Sequence, residues 1–309
     1  MDRIYIRNQF GGIKMDGHSI STFRDIEIRN FPLEGGCYGM LFSASAGGSE
    51  RQDQIRCENV LIDGAIDGGG PHPYAIGLWV KDFVNSIWFL NCVSNRCNKG
   101  FLMDATVPSG NTGNPGSFFR INDCDFDTNN SYGIEIAGGS FIWINNPYIS
   151  SNLGNGLYVN STFTGVLRVN APDCRGNGGH GMWIRSTEHK KIHIRDAQCS
   201  HNSASSTNNY DGLHIYDEAY ADQSDIMIDG GQYGGDMMGT TDPNGGNLTT
   251  TPQRYGINFT NNAKYQRIII NNVDCSGNRT GPINYNISNG SNNFMHNVIP
   301  VHGSHAGAH

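Results

Sequence analysis

Two carboxylates and a row of aromatic and basic residues fall at matching positions of a recurring pattern in this chain. Gly opens a short apolar segment at Gly39, Gly77, Gly100, Gly133, Gly156, Gly181, Gly212, Gly256 and Gly281. Two residues past the first eight stand Leu41, Trp79, Leu102, Glu135, Tyr158, Trp183, His214 and Asn258. Two further on stand Ser43, Lys81, Asp104, Ala137, Asn160, Arg185, Tyr216 and Thr260. If each segment is a β-strand, alternation turns both sets to one outer face. Trp and Tyr there offer flat apolar rings on which sugar faces stack, with carboxylates and cations beside them.

Glu135 and Asp104 are expected one repeat apart and two residues apart along the strand, at about 8 Å. The paired carboxyls of inverting glycoside hydrolases stand about 6.5 to 9.5 Å apart, one protonating the leaving oxygen and one activating water. These two are therefore the candidate catalytic pair. Trp79, Lys81, Tyr158, Trp183, Arg185 and His214 are the candidate substrate-binding residues around them. A β-elimination needs other equipment: a base such as His, Tyr, Lys or Arg, and a cation to neutralise a uronate. Lys81, Tyr158, Arg185 and His214 are of those types, so hydrolase and lyase chemistry both stand open. So does a plainer reading, in which the pair is solvated and the aromatics pack against another subunit.

Other acids compete less well. Asp63, Asp67, Asp217, Glu218 and Asp229 lie at bends or in long inter-glycine intervals, where they read first as turn residues. No three carboxylates fall at the spacing of a calcium cage, so neither a metal nor a cofactor is expected.

The element that must position these residues is a solenoid. FRINDCDFDTNNSYGIEI, IWINNPYISSNLGNGLYV, LRVNAPDCRGNGGHGMWI and IHIRDAQCSHNSASSTNNYDGLHI are one unit written four times, each with strands we call a, b and c. Strand c opens on the recurring Gly. The shortest intervals, 23 to 25 residues, set the bare coil, and longer ones, up to 44 between Gly212 and Gly256, carry inserted loops. Asn122, Asn145, Asn170 and Asn271 are each followed seven residues later by Asn129, Asn152, Asn177 and Asn278. Such columns can hydrogen-bond along the stack, and Asn tolerates the left-handed backbone of a sharp bend. Phe126, Ile149, Cys174, Cys199 and Cys275 are expected as an inward column. Strand a presents a second outward column, Leu61, Trp88, Arg120, Trp143, Arg168, His193, Met227 and Ile269, richer in cations. One outer face is expected to meet ligand and the other a sister chain.

Composition agrees. Hydrophobic residues make up 37% and charged residues 16%, with 41 Gly in 309 residues, which suits short strands between tight turns. A net charge of -7 without a basic run argues against nucleic acid. No apolar run approaches the ~20 residues of a membrane span, and no apolar signal segment opens the chain. The eight Cys form no CxxC and follow the repeat, so they are expected as buried free thiols in a chain made in a reducing cytoplasm. One domain over 1–290 with a tail over 291–309 is expected.

FIWINNPYISSNLGNGLYV and VLRVNAPDCRGNGGHGMWI resemble the pectate-lyase-like β-helix superfamily, in particular its phage tailspikes and polysaccharide depolymerases. The resemblance implies an all-β, right-handed parallel β-helix of about nine coils. It also implies a homotrimer at a virion or outside the cell, with a bacterial polysaccharide and other virion proteins as partners. No catalytic motif carries over: GHG at Gly179–Gly181 is similar to a polygalacturonase signature, but the paired Asp that accompanies it there is missing, and it reads as a turn. A spike that only adheres or assembles, and a secreted pectin or alginate enzyme, remain alternatives.

Overall fold

A computed structural model describes residues 4–7, 9–16, 19–43, 53–66, 69–82, 84–104, 118–163, 165–186, 191–206, 209–217, 225–234, 253–260, 267–285 and 292–296. Among them there is no helix, and hence none long and apolar enough to cross a membrane. All strand pairs are parallel and join each strand to its copy one coil away, giving a 14-stranded and a 10-stranded sheet. The architecture is a right-handed parallel β-helix. Strands c form the 10-stranded sheet, from Gly11–Asp16 to Gly281–Tyr285, so ten coils are stacked where about nine were expected. The extra coil precedes Gly39, at Gly12.

Strands a and b share the larger sheet and run together wherever the bend between them is slight, as in Asp53–Asp63 and Lys191–Ser200. Period-two alternation sends Ile, Val, Leu and Phe inward, where Ile121, Ile144, Val169 and Ile194 stack fully buried. Each such side chain contributes about 1.5–3 kcal/mol of burial. Phe42, Phe89, Phe101 and Phe126 continue the core as edge-to-face pairs with centroids 5.8, 5.4 and 6.1 Å apart. All eight Cys are free and buried, as expected. The inward column holds Phe126, Ile149, Cys174, Cys199 and Cys275, with Tyr233 between the last two.

Both Asn columns form ladders, but Asn271, level with Asp229, and Asn278, which donates to the Tyr233 and Cys275 carbonyls, stand outside them. Asn170 donates to Asn145 and Asn145 to Asn122, each at 2.7 Å. Inside the b–c corner, Asn129 donates to Asn152, Asn152 to Asn177 and Asn177 to Asn202, at 2.9, 2.9 and 3.0 Å. The left-handed backbone falls on their neighbours, however. Asp123, Asn146 and Ala171 follow the outer ladder, and Thr128, Ser151 and Gly176 precede the inner one. The ladder residues keep ordinary φ and spend their amides on the stack.

The glycine column has a steric cause. A Cβ at Gly156 would lie 2.5 Å from the Gly181 carbonyl oxygen, and one at Gly133 2.9 Å from that of Gly156. Coils approach too closely there for any side chain. Two register expectations are corrected. Gly281 pairs with Tyr255, so Pro282 holds the position level with Gly256. Leu61 belongs to strand b, opposite Val93, and Arg56 stands in its place beside Trp88.

Candidate functional site

The strand-c column is in register as expected: Leu41, Trp79, Leu102, Glu135, Tyr158, Trp183, His214 and Asn258 pair in succession. Beside it Lys81 pairs with Asp104, and Arg185 with Tyr216. The side chains lean on one another. The Tyr158 ring lies 5.0 Å from Tyr132 and 5.1 Å from Trp183, and the Arg185 guanidinium donates to the Tyr158 hydroxyl at 2.9 Å. Arg185 also stands 5.9 Å over the Trp183 ring, and Lys81 5.6 Å over Trp79. The column is accordingly less open than expected, with Glu135, Tyr158 and His214 buried and Trp79 and Trp183 half-buried.

Glu135 forms an ion pair with Lys99 of the preceding coil. Asp104 lies within electrostatic reach of it, and its carboxyl is raised above the ordinary value, chiefly by burial, with Lys81 opposing and Glu135 adding. Asp63 is held by Arg96 at 2.5 Å and Arg29 at 3.7 Å, and Asp229 by Arg195 at 4.0 Å. Asp67 and Glu218 lie outside the described residues. Asp217 is described only by its backbone pairing with Ser186.

The densest polar cluster surrounds His214. Its Nδ1 donates to the Asp211 carboxylate at 2.7 Å, which leaves Nε2 to accept from the Thr260 hydroxyl at 3.0 Å. Asp211 is fully buried, and its oxygens also accept from Arg254 at 2.9 and 2.8 Å, Asn258 at 2.8 Å and the Tyr255 amide at 3.2 Å. Burial alone would push this carboxyl up. The bonds from His214, Arg254 and Asn258, with His180 nearby, more than offset it and hold Asp211 well below the usual range. His180 packs against His214 with centroids 4.5 Å apart and the rings tilted by 58°, and lies 5.7 Å from Trp183. Burial, then the neighbouring His214, drives His180 down to about 3. Its Nδ1 accepts the Asp211 amide at 2.9 Å, so Nε2 carries the proton of a neutral ring.

His180, Asp211 and His214 offer ligand atoms within 4.8 Å of one another. The donor set does not suit a cation. His180 Nδ1 is taken by a backbone amide, the Asp211 lone pairs are taken by four donors, and the Arg254 charge is in direct contact. What the arrangement suits is an imidazole whose tautomer and orientation are set by a buried carboxylate, an oriented general base.

Sequence reasoning found His214 but missed Asp211, His180 and Arg254. The reason is local. Pairing passes over the column glycine, from Tyr132–Lys99 straight to Ile134–Phe101. The residue just before the glycine therefore shares a face with the one two after it: Tyr132 and Glu135, His180 and Trp183, Asp211 and His214. Strict alternation assigns it to the wrong side. The detectable signal was GHG itself, together with the Asp directly before Gly212.

No family model matches the chain, and no curated protein matches it. Among solved structures it is similar to the A-module of mannuronan C-5 epimerase AlgE4 of Azotobacter vinelandii. Identity is 16% and the TM-score 0.58, over 94% of this chain and 80% of that one. The AlgE6 A-module of the same organism gives 11% and 0.55, over 96% and 81%. Pectate lyase Pel9A gives 14% and 0.49, over 88% and 66%. The epimerase A-modules share this chain's fold, the parallel β-helix that its repeats implied. At these identities the likeness is one of fold.

Proposed function

We propose that this chain is a carbohydrate-active β-helix that takes a proton from an acidic polysaccharide at its strand-c face. The observation that carries this reading is the Asp211–His214 pair, set beside Arg185, Tyr158 and Trp183 on one sheet. A hydrogen on the carbon next to a uronate carboxylate is acidic enough to abstract only if the developing charge is neutralised. Arg185 is the cation for that carboxylate, and Trp183 offers a stacking surface. His214 Nε2 removes the proton once the Thr260 hydroxyl that donates to it turns away, and the resulting imidazolium is stabilised by Asp211. A Tyr hydroxyl then supplies a proton. Delivered to the leaving oxygen as its bond to the ring carbon breaks, it completes an elimination; delivered to the opposite face of the same carbon, it completes an epimerisation. The similar A-modules are named for epimerisation at C-5 of mannuronan, which supports the same class of substrate.

In the tailspike-like setting that the repeat implies, the polymer is a bacterial surface polysaccharide and the protein a homotrimer at a virion or outside the cell. The test is incubation with alginate and polygalacturonate in D2O. Absorbance of the unsaturated uronate reports elimination and deuterium at the abstracted position reports epimerisation. His214→Gln abolishes both. Failure of the wild type on every polyuronate, or full activity of His214→Gln, refutes the assignment.

A second reading, glycoside hydrolysis by Asp104 and Glu135, draws support from the raised Asp104 carboxyl, the property of a general acid. Loss of reducing-end release in Glu135→Gln, with release retained in His214→Gln, selects it.

A further inference from the structure

The strand-a sheet carries a row that the strand-c chemistry does not use. Arg56, Trp88, Arg120, Trp143 and Arg168 pair in succession, one per coil, followed by His193. Cation and aromatic thus alternate over four coil steps, about 19 Å at the parallel-strand spacing. Arg120 is exposed and sits between two indoles, 5.7 Å from the Trp88 ring and 5.4 Å from Trp143. No carboxylate reaches Arg120 or Arg168 among the described residues, although Arg56 is paired with Glu58. Phe118 and Phe141 extend the aromatic surface, stacked at 5.3 Å with 9° between planes and 46% and 38% exposed. Shallow depressions flank the row, one at Trp88, Leu90 and Arg120, the other at Arg168, His193 and Met227.

We infer that this face is a second, non-catalytic binding platform for a linear anionic polysaccharide, separate from the His214 site. The charge argument decides the occupant. The chain carries a net -7, yet Arg120 and Arg168 of this row meet no carboxylate among the described residues. On the same sheet Asp225 is paired with Arg267, Asp229 with Arg195 and Glu58 with Arg24 and Arg56. A second copy meeting this row with its own equivalent brings the same Arg and Trp side chains to Arg120 and Arg168. An acidic glycan brings one charge per acidic sugar and an apolar ring face between charges, which matches Arg–Trp–Arg–Trp–Arg. The coil rise is close to the length of one pyranose unit, so successive sugars meet successive positions.

Affinity electrophoresis through gels holding polygalacturonate or dextran tests this. The wild type is retarded by polygalacturonate and not by dextran, and salt weakens the retardation. The Arg120→Gln/Trp143→Ala double variant binds at least about tenfold more weakly while keeping wild-type turnover of short polyuronates, which separates this face from the proposed active site. Arg168→Gln weakens binding in the same direction and serves if the double variant does not fold by circular dichroism. Undiminished retardation in both variants overturns the inference. So does a fall in oligomeric mass of the double variant in sedimentation without any wild-type retardation, which makes the face a contact between copies.

Discussion

Asp211 and His214, three residues apart across the glycine that opens strand c, share a 2.7 Å hydrogen bond with the carboxylate fully buried. The bond sets the imidazole tautomer and leaves Nε2 toward Thr260. A residue at the b–c corner thereby acquires a role on the outer face of strand c.

His214→Gln lowers turnover by about 10²–10⁴, the contribution of a positioned general base, with little change in the thermal midpoint. Asp211→Asn loses activity and stability together, because Arg254 is left beside a neutral amide; breaking such a buried pair costs about 3–5 kcal/mol. Turnover and urea unfolding of both variants separate the two roles.

His180 makes stability depend on pH. It is neutral in the folded chain down to about 3 but protonates near 6.5 when unfolded. Between those values the unfolded state binds the extra proton, so His180 removes about 1.4 kcal/mol of stability per pH unit on acidification. Asp125, raised to about 6 by burial and by Asp127, works in the opposite sense between that value and 3.8. Asp211, depressed, adds a loss only below about 3.9. The wild type and His180→Asn, which keeps an acceptor for the Asp211 amide, therefore differ in slope between pH 6.5 and 3. Equal slopes in urea titrations would remove His180 from this role.

Asn152 accepts from both the amide and the side chain of Asn129 at 2.9 Å and donates to Asn177 and the Phe126 carbonyl at 2.9 and 3.0 Å. Asn152→Ala strands the Asn129 donors on one side and takes a donor from the Phe126 and Asn177 oxygens on the other, and costs about 2–4 kcal/mol, at one to three per orphaned group. Equilibrium unfolding measures it.

Gly156→Ala forces a Cβ against the Gly181 carbonyl oxygen at 2.5 Å and destabilises by more than about 2 kcal/mol. Gly176 has a φ of +63° and open space around its Cα, so Gly176→Asn is tolerated within about 1 kcal/mol. Reversing this order in thermal melts would refute the close-approach account.

Burial holds the thiols of Cys57 and Cys199 well above their ordinary range and raises Cys97 to about 12. A thiol reagent near neutral pH therefore modifies few or none of the eight Cys in the folded chain and all of them in denaturant.

The sequence by itself determined the solenoid. A repeat of 23 to 25 residues lets a strand pair only with its own copy, and period two then sorts Ile121 and Ile144 inward and Trp88 and Trp143 outward. The strand-c column from Leu41 to Asn258 was legible for the same reason. The tertiary structure alone decided what happens where periodicity fails. At the column glycine the pairing skips a residue, which carries Asp211 and His180 to the face of His214 and Trp183. Beyond residue 234 the long insertion hides that Arg254 returns to the Asp211 carboxylate. Neighbours in charge, too, became visible only in three dimensions: Glu135 against Lys99, and Arg120 held between two indoles with no carboxylate in reach among the described residues. Alternation tells which way a side chain points, but which group waits there depends on coils 20 to 50 residues away in the chain.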